Sequence, residues 1–305
     1  MRLTFFVNAD LRVGRGVENT LFKLLKYKPK NIEITIIEIT RTDNNPLILS
    51  NSEVNELTKN CKIIRVTSKF ETLKKDNNSK IGILYRDLMA NRTVYSLKHT
   101  PQTTLEEMKD TDIVYLFNNQ LAIFFSDTNV PVIGSEHTFD FSWIKTTRNQ
   151  NRFYKIYHKL MYKKFYTNIS FFHLFAGGED KLNDLKQYFN YELKETAVLP
   201  SGVDTSLFYP DYNANNKKIK FLFVASLIEE KGLDLLLPLI DRIDNNGVEF
   251  HIAGGGELAD KIKANKRIIY HGILSNIDLG RLYRECDIFI YPSHADTFSL
   301  VTLQA

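Results

Sequence analysis

Ile219–Ala225 (IKFLFVA) is a near-continuous apolar run, and a strand of that kind has to be covered on both faces. Burial on both faces belongs to parallel sheets whose strands are joined by crossover helices, so this run selects an α/β layering. The sequence after it agrees. Lys231-Gly232 opens an expected helix over Leu233–Ile243, and Glu249–Ala253 reads as a strand ending at Gly254-Gly255-Gly256. Leu258–Ala264 (helix), Ile268–Tyr270 (strand), Ile277–Glu285 (helix) and Ile288–Tyr291 (strand) continue the alternation. Pro292 stops the last strand, and a final helix should begin near Ser299.

The first half alternates less cleanly. Leu3–Val7, Ile32–Ile39, Ile113–Phe117 and Val130–Ile133 are expected strands, with a helix from Val17 to about Lys26, and Ile169–Phe175 is strand-sized. Glu71–Lys80 is polar and loop-like. The 305 residues suffice for about two domains. The polar run Asp211–Lys218 (DYNANNKK) marks the expected junction, giving domains over 1–210 and 211–305.

A chain that is 43% apolar and 25% charged is an ordinary globular one, which excludes disorder. Its net charge of +4 is too mild to argue for nucleic acid. Cys61 and Cys286 are far apart and build neither a disulfide framework nor a zinc knuckle, so a reducing compartment is expected. No apolar stretch nears the ~20 residues of a membrane span, and the N-terminus lacks a signal-peptide pattern. A cytoplasmic chain is the expectation.

In open parallel sheets the ligand binds beyond the carboxyl ends of the strands. Several segments fall there. Gly14-Arg15-Gly16 follows the first strand, where a bare backbone and a helix start suit an anion, though a plain turn explains it equally well. Ser226–Gly232 (SLIEEKG) carries Lys231 at a helix start. A cation is disfavoured there unless an anion accompanies it, which points Lys231 at a phosphate rather than at bulk solvent. Gly254–Gly256 and His271-Gly272-Ile273 are small-residue turns against which a flat ring could lie. In Pro292–Ala305 (PSHADTFSLVTLQA), Asp296 precedes a helix start and Gln304 lies eight residues on. Asp296 either meets a ligand there or only caps the helix. His137 in Gly134–Phe139 follows another strand.

Taken together, Leu199–Pro210 (LPSGVDTSLFYP), Phe223–Leu233 (FVASLIEEKGL), Ile252–Glu257, Tyr270–Gly272 and Asp287–Ala305 resemble the retaining glycosyltransferases of family 4, the "group 1" family with the GT-B fold. The resemblance implies an α/β chain of two Rossmann-like domains whose parallel sheets face a central cleft holding a nucleotide-sugar. It implies an acceptor-side first domain, a donor-nucleotide-binding second domain and hexosyltransferase chemistry. The partners implied are a nucleotide-sugar donor and a glycan or lipid-linked acceptor hydroxyl. By resemblance, Gly16 meets the donor pyrophosphate, Lys231 neutralises it, His137 contacts the transferred sugar and Asp296 binds a sugar hydroxyl. The amides of Thr297, Phe298, Ser299 and Leu300 would hold sugar and phosphate, Gln304 the ribose and Ile273 the base. No cofactor and no metal are expected, since a lysine and helix-start amides supply the charge stabilisation.

The sequence departs from the family pattern in places. Arg15 replaces the first glycine of a pair, Ser226 stands where an arginine is usual, and Asp296 and Gln304 replace two glutamates. Arg15 is the candidate substitute for the missing cation. The family continues beyond the point where this sequence stops, so the second domain is expected to be incomplete. These departures leave a second class open, a catalytically inactive glycosyltransferase-like binding subunit. A dinucleotide oxidoreductase is disfavoured because no acidic ribose ligand ends the second strand.

Two further patterns need weighing. Asp110-Thr111-Asp112 mimics a metal-binding D-x-D, but it precedes a strand, at the wrong edge for a site. From Phe141 to Ser170 no acidic residue occurs, and Arg152, Lys155, Lys159 and Lys163 recur at helical spacing among aromatic and aliphatic residues. That helix either docks on an anionic membrane surface or packs its apolar side in the core and presents its charges to solvent.

Overall fold

Phe5 and Phe6 are neighbours on β1 (Arg2–Val7), both are buried, and they belong to different cores. Successive strand residues point to opposite faces, so β1 must be covered above and below. Phe6 packs with Leu116, Phe124 and Phe125 on one face, and Phe5 with Leu21, Phe22 and Tyr115 on the other. Ile36 and Ile37 divide between the same two cores. The computed structural model describes residues 1–67, 106–136, 160–211 and 217–305, apart from 9, 14–15, 41–46, 48, 109, 161–162, 175–177, 190–191, 244–245, 295 and 297–298. The chain divides into two compact units, Met1–Pro200 and Ser201–Ala305.

The first unit runs β1, α1 (Gly16–Lys26), β2 (Glu33–Thr40), α2 (Asn51–Leu57), β3 (Cys61–Thr67), β4 (Ile113–Leu116), β5 (Val132–Glu136), β6 (Phe171–Leu174), α3 (Glu179–Phe189) and β7 (Glu195–Val198). Its seven described strands form one parallel sheet in the order β3-β2-β1-β4-β5-β6-β7. β5 starts two residues later than the sequence suggests. Pro131 has no N–H to give the ladder, and its carbonyl instead accepts from Val114 N at 3.0 Å. Helix α2 is closed by a capping box in which Ser50 and Glu53 satisfy each other's backbone.

The second unit runs β8 (Ile219–Val224), α4 (Leu233–Arg242), β9 (Val248–Ala253), α5 (Ala259–Ala264), β10 (Ile268–Gly272), α6 (Asn276–Glu285), β11 (Ile288–Phe289) and α7 (Leu300–Gln304). The apolar run Ile219–Ala225 supplies β8, central in a parallel sheet of order β10-β9-β8-β11. Phe223 faces one core, and Leu222 and Val224 the other. Helix α4 buries Leu233, Leu236, Leu237 and Ile240, an i, i+3, i+4, i+7 stripe laid on the Phe223 side.

Residues 201–210, placed with the first domain from sequence, pack within the second unit. Gly280 of α6 leaves room for the Leu207 carbonyl, which accepts from the Arg284 guanidinium at 2.8 Å, and Phe208 meets Tyr283 edge-on. At the amino ends of β1 and β4, Arg2 pairs with both Asp110 and Asp112. Its hydrogen bonds hold the Asp112 carboxyl below the usual range. The D-x-D pattern is thus a strand-edge ion pair, as its position implied.

Candidate functional site

In the second sheet, β8 leads to β9 on one side, while β11 returns to β8 on the other. The sheet therefore grows in opposite directions from β8, and the loops after β8 and β11 flank the reversal. That is where open α/β sheets leave a crevice for ligands. The loop after β8 carries Lys231, and the loop after β11 carries Asp296.

Three contacts tie these loops together. Gly232 has φ +82°, and a Cβ there would lie 2.1 Å from the Pro292 carbonyl oxygen, so the Lys231 loop approaches the β11 loop in a way only glycine permits. The Glu230 carbonyl accepts from His294 N at 3.0 Å. The His294 Nε2 meets the Asp234 carboxylate at 2.8 and 2.9 Å, and this hydrogen bond holds the Asp234 carboxyl below its usual range. With the loops fixed this way, the Lys231 Nζ comes 3.3 Å from Asp296 Oδ2, the side chains being 18% and 26% exposed. The ammonium does not point into bulk solvent.

Asp296 is not the cap of the final helix. Ser299 holds that position, its hydroxyl accepting from Thr302 N at 3.2 Å. The second partner of Asp296 is Tyr291, whose hydroxyl donates to Oδ2. Burial first, and then this bond to a carboxylate, push the Tyr291 phenol up to about 12, so it stays a donor at neutral pH. Sequence reasoning missed Tyr291, because an aromatic residue at a strand end reads as core.

Ile273 follows β10, is exposed, and lies so close to Gly255 that a Cβ there would sit 2.7 Å from its Cδ1. The Gly254–Gly256 backbone and Ile273 thus form a flat, apolar-edged surface at the ends of β9 and β10. Gln304 lies at the end of α7, half-buried, and Leu300 begins that helix. Ser226 is exposed beyond β8 and brings no charge to the pyrophosphate position. Gly16 opens α1 in the first unit. Arg15, His137, Thr297 and Phe298 lie outside the described residues, as do Arg152, Lys155 and Lys159. Residues 163–167 are helical, with Lys163 and Lys164 exposed, while Phe165 and Tyr166 are buried. Among the described residues no three His, Cys, Asp or Glu side chains converge as a metal site.

A pair of histidines lies beside the Ile273 turn. His251 Nδ1 and His271 Nε2 are 2.9 Å apart and the rings stack, with Glu249 Oε2 3.5 Å from the other His251 nitrogen. Burial holds both imidazoles below the ordinary histidine range; Glu249 and then Glu285 oppose it at His251 while Lys220 adds to it, and at His271 the neighbouring His251 adds to it while Glu285 opposes. A base whose folded pKa is lowered binds more protons when unfolded. Its contribution is complete above its unfolded pKa of about 6.5 and is lost as pH falls below that value. The second unit is expected to melt lower at about pH 5 than at about pH 7.5. His251→Leu should flatten that dependence, and an unchanged slope in melts across this range would contradict it.

The second unit is thus a parallel α/β unit with a fixed ammonium and carboxylate at its strand-order reversal, where such sheets leave a crevice for ligands. Residues 204–305, nearly the whole of the second unit, match the family described as glycosyl transferases group 1. An uncharacterized glycosyltransferase of Methanocaldococcus jannaschii is 29% identical over 150 residues, 44% of this chain and 39% of that protein. A mannosylfructose-phosphate synthase of Agrobacterium fabrum is 23% identical over 151 residues, 41% of this chain and 33% of that protein. The alignments thus span well under half the length of these relatives. Sucrose-phosphate synthase of Thermosynechococcus elongatus superposes with a TM-score of 0.68 at 13% identity, over 99% of this chain and 78% of its own. HepE of Anabaena, solved with UDP and glucose, gives 0.63 at 15% identity, over 100% of this chain and 77% of its own. The fold is GT-B, with two Rossmann-like units.

Proposed function

We propose that this protein is a glycosyltransferase of the hexosyltransferase type, moving a sugar from a nucleoside-diphosphate donor to an acceptor hydroxyl with retention at the anomeric carbon. The observation that carries the reading is the Lys231 ammonium held 3.3 Å from the Asp296 carboxylate at the sheet reversal. In the resting protein each charge serves as the other's partner. On donor binding, the diphosphate takes over the ammonium and a sugar hydroxyl takes over the carboxylate, so neither charge is left unpaired. Lys231 then faces the negative charge that grows on the diphosphate as the bond from the anomeric carbon to the phosphate oxygen breaks. The acceptor oxygen forms its bond on the same face, and its proton passes to the leaving phosphate oxygen, so no protein nucleophile and no metal are needed.

In this reading Ile273 and the bare Gly254–Gly256 turn take the base, Gln304 the ribose, and the amides of residues 297–300 the sugar and phosphate. Gly16, Arg15 and His137 serve from the first unit. HepE binds UDP, which makes UDP-sugars the first donors to try. The acceptor is a glycan or lipid-linked hydroxyl, with the basic stretch from Arg152 to Lys163 as the candidate contact for an anionic membrane surface. No described helix is long and apolar enough to cross a membrane.

A thermal-shift screen of UDP-, GDP- and ADP-sugars tests the reading. A donor present at a hundred times its Kd stabilises the folded state by about 2.7 kcal/mol. One base series should raise the melting point, and the product formed with that donor should keep the donor's anomeric configuration. If no nucleotide-sugar shifts the melt, the donor assignment falls. An inverted product overturns retention alone.

A further inference from the structure

The carboxyl ends of β1, β2 and β3 in the first unit enclose a cavity of about 250 Å³ lined by Asp10, Arg12, Glu38, Asn51, Val54 and Arg65. Its formal charges cancel, but its hydrogen-bonding capacity does not. Glu38 is 4% exposed, and its two oxygens accept from Leu11 N at 3.0 Å and Arg65 Nε at 2.8 Å. Asp10 accepts from Arg12 three times, from the backbone N at 2.9 Å, from Nε at 3.0 Å and from Nη2 at 2.6 Å. Both carboxylates are thus occupied in aiming the guanidinium groups. Nη1 of Arg12 and both terminal nitrogens of Arg65 have no hydrogen-bond partner among the described residues. A buried carboxylate that fixes a guanidinium 57% exposed, with its fork left open, prepares bidentate recognition of an oxyanion.

We propose that this cavity binds a phosphoryl group, carried by a small phosphate ester or by a phospholipid headgroup. The lining offers surplus donors and few open acceptors, which suits phosphate oxygens and disfavours the hydroxyls of an uncharged sugar, which need both. At about 250 Å³ the space is below the range of about 300–1,000 Å³ typical of drug-sized ligands, so it takes one small polar group. The cavity lies wholly in the first unit, so its test does not depend on the donor reading.

Binding is measured by calorimetry on the full chain carrying Lys231→Ala, which removes the other proposed diphosphate contact. Inorganic phosphate and glucose 6-phosphate should bind saturably, and glucose should not. Arg65→Lys, which keeps a cation beside Glu38 but loses the fork, should weaken phosphate binding at least about tenfold, or 1.4 kcal/mol. Arg12→Gln, which removes a partly buried ion pair but keeps a polar side chain, should weaken it with the fold intact by circular dichroism. The proposal is overturned if neither phosphate compound binds, if glucose binds as well as glucose 6-phosphate, or if both variants bind as the parent does. Phosphatidic acid vesicles distinguish the sources. Sedimentation that Arg65→Lys lowers assigns the group to a lipid headgroup, and calorimetric binding without sedimentation assigns it to a soluble ester.

Discussion

Lys231→Ala is expected to lower turnover by a factor of about 10²–10³, the usual cost of removing one preorganised charge from a developing anion. Thermal stability should hardly change. The side chain is largely shielded and pairs with Asp296, and an alanine there leaves Asp296 with the Tyr291 hydroxyl and with solvent. Lys231→Arg keeps the charge on a bulkier, forked group and should recover only part of the rate. Asp296→Asn keeps a polar contact to Tyr291 but removes the charge that aims the ammonium, so its effect should not add to that of Lys231→Ala in a double-mutant cycle. The measurement is steady-state kinetics with the donor found by the thermal screen. A Lys231→Ala enzyme within twofold of the parent would remove the physical basis of the transfer reading.

The second unit was legible from sequence because its central strands, β8 and β9, are buried on both faces, and α4 shows a single apolar stripe. Ile219–Ala225 and Leu233–Ile243 match β8 and α4 to within a residue at each end. The first unit was less legible at its margins. Cys61–Thr67 forms β3 at the sheet edge, where Lys62 and Arg65 alternate with Ile63 and Val66 and blur the apolar run. Helix α2 before it, Asn51–Leu57, carries few apolar residues. In the site, Lys231 could be picked out because a charge at the mouth of a buried strand needs a reason, and Asp296 because it precedes a helix start. Their mutual contact could not, since it depends on Gly232 meeting Pro292 sixty residues on, a long-range approach with no local pattern. The junction was misplaced for a related reason. The polar run 211–218 looks like a linker, but what assigns 201–210 to the second unit is a carbonyl at Leu207 buried against Gly280 and Arg284.

Gly254→Ala should be the most destabilising small substitution in the second unit. Gly254 has φ +137°, and a Cβ there would lie 1.9 Å from the Ala225 carbonyl oxygen, a backbone atom that cannot rotate away. The residue is also pinned on both sides, donating from its N to Gly272 O at 2.7 Å while its carbonyl accepts from the Tyr270 hydroxyl at 2.9 Å. Strain of this backbone kind alone costs about 1–3 kcal/mol, and the overlap adds the cost of parting β8 from β9 at their carboxyl ends. A loss of about 3 kcal/mol or more is expected, which for a unit of this size lowers the melting point by roughly 10–20 °C. Two other glycines separate the causes. Gly247 has φ +109° with nothing within 4 Å of the added Cβ, so Gly247→Ala should show strain without overlap. Gly202 has no positive φ, and a Cβ added there would meet nothing within 4 Å, so Gly202→Ala should be close to neutral. Thermal melts ranked Gly254 well below Gly247, and Gly247 below Gly202, would support this account of the turn. If Gly254→Ala melts with Gly202→Ala, the bare backbone beside Ile273 is not held as described, and the surface offered to a nucleotide base goes with it.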